Sequence, residues 1–326
     1  MILDIARHKF YEGALYLFVV AMLSVVIAFV GIDDNIANAT IAAAPLQPAM
    51  RDFMLMHPVW SAIIAATIIM ITSLRMTRTT IIHSLFSVGS LATMSLSAVV
   101  MMGVGMHGNI LSTLMVGFLL SEAIYRAGYC VHPEPTLHYM FTACMALGAM
   151  PLFDCSMLAP AIVAPLLLLL SSKKPREIIV GYIGLLVPIF AYSYIEWCLG
   201  HPMLDSVKQL WVGMLTPSAL ADVDYLSIPR LVMLGAVMFV QICTSLISFN
   251  GRLSISLPAR QIWRQLQILV LLLTTCFVLL PSTTPASFMS IGLCISLMAP
   301  LLLFKIEGAG SMIAFYTLLG IALWAI

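Results

Sequence analysis

The chain has 326 residues, 62% of them apolar and only 9% charged, with a mean hydropathy of +1.07. Soluble domains carry roughly 25% charged residues, so this composition belongs to a protein whose main solvent is lipid. A net charge of +1, with basic residues in ones and threes and no basic face interleaved with aromatics, excludes nucleic acid as a partner.

In chain order, the first element is an apolar run from Gly13 to Val30 after MILDIARHKFYEG. It is longer than the 7 to 15 residues of a signal-peptide core, so it is read as a retained helix; cleavage near Ala37-Asn38-Ala39 is the alternative. A membrane helix needs about 20 apolar residues, because 1.5 Å per residue must cover about 30 Å of hydrocarbon. Further runs of that kind are expected near 58–74, 82–102, 109–124, 137–152, 156–171, 178–199, 230–249, 265–281, 286–304 and 309–326. The fold class is therefore all-α: a polytopic transmembrane helix bundle of about 11 membrane segments, forming a single integral membrane domain over 1–326.

Basic residues collect on the cytoplasmic side of membrane proteins, which orients the chain. With the N-terminus cytoplasmic, Arg7, Lys9, Arg75, Arg78, Arg126, Lys173, Lys174, Arg176, Arg252, Arg260, Arg264 and Lys305 fall inside. Only Arg51, Lys208 and Arg230 fall outside. The stretch MPLFDCSMLAP then becomes the outer tip of a helical hairpin, with Asp154 between legs disturbed by Pro151, Pro160 and Pro165. A re-entrant pair shielded by other helices is the alternative. Beyond the next crossing, Met203, Val207, Leu210, Trp211, Met214 and Leu215 recur at helical spacing, predicting a short helix lying in the interface.

Chemistry-bearing residues gather on the outer side of this map. A glycosyl-transferring enzyme acting on a lipid-linked sugar needs a carboxylate to take a proton from an acceptor hydroxyl and a cation to hold a diphosphate. Asp154 is the candidate base, with Glu196 and His201 at the outer end of the next outward helix; Arg51 and Arg230 are the arginines available to a diphosphate. The same residues also read as solvated helix ends. His83 reads as an imidazole hydrogen-bonded near the cytoplasmic interface rather than as a proton relay. No HExxH, GxSxG or CxxC is present, so the sequence gives no support to a zinc site, a nucleophilic elbow or a disulfide framework. No cofactor is implied.

Several stretches together carry a resemblance: MILDIARHKF, the MHPVW start of the second run, Arg75 and Arg78 at its exit, and FTACMALGAMPLFDCSMLAP through LLLSSKKPREIIVGYIGLLVPIF. They resemble an uncharacterised family of multi-pass inner-membrane proteins from Bacteroidota. The features matched are Leu152-Phe153 at the tip, the leucines 166 to 170, Arg176-Glu177, and Gly184-Leu185-Leu186-Val187-Pro188; the likeness covers roughly the first 200 residues. The resemblance implies a bacterial inner-membrane location. The general plan is similar to that of O-antigen polymerase-type proteins, although those carry larger, arginine-bearing outer loops. Three function classes follow as expectations: an enzyme of envelope glycan or lipid-linked sugar assembly, a non-catalytic scaffold of an envelope complex, and a transporter or flippase. The corresponding partners are membrane lipid, a lipid-linked glycan and other envelope membrane proteins.

Overall fold

A computed structural model describes residues 44–85, 92–105, 109–131, 137–167, 175–217, 228–249, 257–282, 284–305 and 309–325. The first predicted run, the Ala37-Asn38-Ala39 motif, His107 and the Lys173-Lys174 pair lie outside the described residues. Within them the chain is helical throughout: α1 (Gln47–Met56), α2 (Pro58–Ile82), α3 (Ala92–Gly105), α4 (Ile110–Tyr129), α5 (Leu137–Phe153), a 3-10 turn (Cys155–Met157), α6 (Leu158–Leu167), α7 (Pro175–Cys198), α8 (Asp205–Leu215), α9 (Ile228–Phe249), α10 (Leu257–Leu279), α11 (Pro285–Lys305) and α12 (Ala309–Ala325). Five of these, α2, α4, α7, α10 and α11, contain stretches long and apolar enough to cross a membrane, and α3, α5, α6 and α9 contain shorter apolar ones. The chain is a multi-pass helical membrane protein.

Segment ends differ from the sequence expectation at one place above all. The second run does not stop near residue 74; α2 continues through Arg75 and Arg78 to Ile82. Thr77, Thr79 and Thr80 bond back to carbonyls one turn earlier, which quiets their hydroxyls inside the helix. The helix then closes with the amide of Leu85 on the Thr80 carbonyl and that of Ser84 on Ile81, Ser84 taking φ 47°. This is the paired C-terminal cap usually built around glycine, here with serine in the left-handed position. His83, expected one turn into the third run, instead sits in this cap. The third helix begins only at Ala92.

The core lies along α3, α4 and α11. α11 is buried on almost every side, whereas α7 and α10 bury only a third of their surface or less. The exposed sides of α7 (Ile179, Ile183, Leu186, Phe190) and α10 (Leu271, Val278, Leu279) are apolar, as a lipid-facing wall requires. Serines on α3 and α11 (Ser95, Ser97, Ser290, Ser296) are buried and bond to carbonyls of their own helix, so they act as small packing residues.

The tightest contact is between α5 and α7. A Cβ at Gly148 would lie 2.0 Å from the Leu185 carbonyl oxygen, and one at Gly184 would lie 2.4 Å from that of Phe141. Both glycines are present because the backbone of the opposite helix occupies the space of a side chain.

Candidate functional site

Asp154 stands where α5 stops. Its backbone is extended (φ −153°, ψ 114°), and its carboxylate caps the 3-10 turn. Oδ1 accepts from the Ser156 amide at 3.0 Å and from the Ser156 hydroxyl at 2.6 Å. The Ser156 proton is thereby committed to the carboxylate, leaving its oxygen as an acceptor. Thr284 Oγ1 and Ser287 Oγ lie 3.0 and 2.9 Å from that oxygen, at the start of α11. Thr284 also accepts from the Ser287 amide, capping α11. A buried acid with no cation beside it among the described residues is thus matched by a fan of neutral donors.

Asp154 is only 7% exposed. Burial pushes its carboxyl up from the usual value of 3.8, and the hydrogen bonds from Ser156 and Thr284 pull the other way. The hydroxyl array borders a shallow recess, closed too tightly here to admit a water molecule, lined by Ser156, Met157, Pro160, Leu273, Cys276, Phe277, Leu280, Ser282 and Ser287. Ser282, 2% exposed, lines this recess with a hydroxyl that has no hydrogen-bond partner among the described residues. An orphan of that kind in apolar surroundings is a disfavoured state.

Several segments fix this end of the bundle. The Leu46 amide donates to the Leu152 carbonyl at 2.9 Å, and the Ser112 hydroxyl donates to that of Phe153. Asn109 caps α4 through the Ser112 amide while its side-chain NH₂ donates to the Gln47 carbonyl at 2.6 Å. The Tyr192 hydroxyl donates to the Pro45 carbonyl at 3.3 Å, joining α7. A Cβ at Gly213 would lie 2.6 Å from Cys155 Sγ, so α8 lies directly on the 3-10 turn.

Of the other sequence-derived candidates, Glu196, His201 and Arg51 reach the same end without entering the shell of Asp154. Glu196 and His201 pair with each other, His201 Nε2 lying 3.8 Å from Glu196 Oε2, with the imidazole well exposed. They occupy the end of α7, one turn beyond Tyr192. Arg51 is half-buried on α1, one turn beyond Gln47. Arg230 lies in the first turn of α9. The helix expected from Met203 to Leu215 is α8, with Leu210 and Met214 buried and Val207, Trp211 and Leu215 exposed. Cys155 and Cys198 are both free thiols. Among the described residues no three His, Cys, Asp or Glu side chains come together as a metal site would need.

Sequence reasoning missed the partners of Asp154. Ser156 is local, but Thr284 and Ser287 come from about 130 residues away, and isolated hydroxyls in an apolar run look the same whether they pack a helix or solvate an acid. Glu122 of α4 likewise has a partner far away in the chain. Arg75 Nε of α2 lies 2.8 Å from Glu122 Oε2, opposite the Arg126 Nε contact to Oε1. His83 packs nearby, its Nε2 3.4 Å from the Tyr125 carbonyl and its ring edge-on to Tyr129, in space left by Gly128.

A second cavity is an apolar crevice of about 70 Å³, open at its mouth. Leu120, Ile124 and Gly128 of α4, Leu147 of α5, Ala164 of α6 and Leu266 of α10 line it, with Gln265 as its polar member. No family model, curated protein or solved structure matches this chain.

Proposed function

We propose that the protein works in envelope glycan or lipid-linked sugar assembly, engaging a substrate with a long apolar tail and a polyhydroxylated head. In this reading it is an inner-membrane protein of about 11 segments with its N-terminus in the cytoplasm, as the distribution of basic residues and the likeness of its first part to Bacteroidota inner-membrane proteins imply.

The observation that carries the reading is the seam between α6 and α10. At one end of this seam lies the apolar crevice, to which the two helices contribute Ala164, Ile262, Leu266 and Leu269. At the other lies the recess, to which they contribute Pro160, Leu273, Cys276 and Phe277, together with the hydroxyls of Ser156, Ser282 and Ser287. An apolar trough leading to a patch of hydroxyls and a carboxylate has the polarity of a lipid-linked sugar, tail first and head last. Asp154 then acts as the base through its hydrogen-bonded array, Glu196 and His201 add a second acid–base pair on the same end, and Arg51 and Arg230 serve the phosphate.

The test is photolabelling in reconstituted vesicles with a polyprenyl phosphate-linked sugar carrying a photoreactive group in its tail. Crosslinks should concentrate on α6 and α10. Ala164→Trp, which fills the crevice, should lower them about tenfold, the equivalent of losing about 1.4 kcal/mol of binding, while unlabelled lipid-linked sugar should compete. Labelling spread evenly over the lipid-facing sides of α2 and α7, indifferent to competitor and to Ala164→Trp, would remove the reading.

A further inference from the structure

We propose that the end of the bundle opposite Asp154, where α2 and α4 finish, binds the phosphate group of an anionic phospholipid. The inference is independent of the substrate seam and of any activity there.

Three guanidinium groups meet there. Arg75 and Arg126 grip Glu122 from two sides, each through Nε. Arg75 also lies over the Tyr125 ring at 4.5 Å, and Arg78 over the same ring at 5.8 Å. Among the described residues three cations therefore face one carboxylate, a surplus of two positive charges, and no acid pairs with Arg78. The contacts to Glu122 are made through Nε of Arg75 and of Arg126 rather than through their terminal amino groups. The guanidinium fork accepts a phosphate through two parallel hydrogen bonds, and its Nη groups remain available for that here. Arg75 and Arg126 keep 29% and 32% of their side chains exposed, while Glu122 keeps 12%, so the surplus charge faces outward and the carboxylate inward.

What brings a phosphate there is the wall beside it. Trp60, Ile64, Ile71, Leu74 and Ile82 form an exposed apolar stripe along one side of α2. Spacing of three and four residues places Arg78 in this stripe, between Leu74 and Ile82. A soluble anion has no use for several turns of apolar surface below its binding groups. A phospholipid does: acyl chains lie along the stripe and the headgroup phosphate meets the arginines. Arg78 is suited to this placement because its aliphatic stem covers apolar surface while its head reaches the polar layer. The Tyr125 ring beneath Arg75 and Arg78 holds the two guanidinium planes by cation–π attraction, so that they are set before a lipid arrives.

The experiment uses the full-length protein in nanodiscs of phosphatidylcholine, with or without phosphatidylglycerol. Lipid retained after extraction is counted by native mass spectrometry, and unfolding is followed by heat. Phosphatidylglycerol should be retained selectively and raise the unfolding temperature. Arg78→Gln, which leaves the Glu122 contacts intact, should weaken retention about fivefold, as expected for one cation at a charged lipid surface. Arg78→Lys should recover part of it, and Arg260→Gln, at an exposed arginine on α10, should leave it unchanged. Unfolding in phosphatidylcholine alone checks that each variant is folded. Equal retention by wild type and Arg78→Gln would overturn the proposal, as would equal stabilisation by phosphatidylcholine. Inorganic phosphate matching the effect of phosphatidylglycerol would also overturn it by making the site one for a soluble anion.

Discussion

At one end of the bundle Asp154 is matched by an amide and hydroxyls; at the other Glu122 is matched by Arg75 and Arg126. The first acid is buried, bonded to Ser156 and through it to Thr284 and Ser287 at the start of α11, and held by neutral dipoles. The second is held by full charges that are themselves a third exposed. The contrast reflects what each environment permits. Where water is excluded, a bare charge is tolerated only with enough donors aimed at it, and these donors rigidify the site. Where water and headgroups reach, ion pairs contribute little to stability and stay free to exchange partners. The Asp154 end is built for fixed geometry, and the arginine end for binding.

The largest effect expected from breaking this contrast is at Asp154. Asp154→Ala removes the acceptor of the Ser156 amide and hydroxyl and should lower stability by about 2–3 kcal/mol, read from denaturant unfolding in mild detergent. A loss no larger than that of a surface substitution would mean that the acid does not organise its end.

Asp154→Asn sharpens the same point, because it keeps the Oδ1 acceptor and removes the charge. Burial raises the folded-state pKa, so the folded protein holds a proton that the unfolded chain releases first. The contribution is complete below the usual carboxyl range and is lost as pH rises toward the folded-state value. Wild-type stability should therefore decline across that window, and the Asn variant should be flatter; parallel pH profiles would contradict the assignment.

Ser112→Ala leaves the Phe153 carbonyl without its side-chain donor and should cost about 1 kcal/mol in the same unfolding measurement. Smallest is Glu122→Gln at the opposite end, which should change stability by less than about 1 kcal/mol, an effect that fades further in high salt. If it instead matched Asp154→Ala, the two ends would be held alike.

Much of the fold was legible because lipid imposes a simple length and polarity rule. The hairpin with Asp154 at its tip, the run from Pro175 to Cys198 and the short helix before Thr216 all follow from it. The rule failed at α2, where arginines were read as the end of a helix. Arg75 stays within the helix because Glu122 answers it from α4, and Arg78 because Tyr125 does; neither partner is visible in the local sequence. The candidate site was legible only in part for the same reason. Asp154 stands out as a lone acid, whereas Thr284, Ser287 and Ser282 carry no local mark that distinguishes them from packing serines and threonines.

The glycine contacts between α5 and α7 carry a mechanical implication. With main chain pressed on main chain at Gly148 and Gly184, these two helices form a stiff strut that cannot slide or spread without collision. Along the crevice α6 presents the small side chain of Ala164 toward Ile262, Leu266 and Leu269 of α10. Any rearrangement that admits a guest along the crevice must therefore leave α5 and α7 in register.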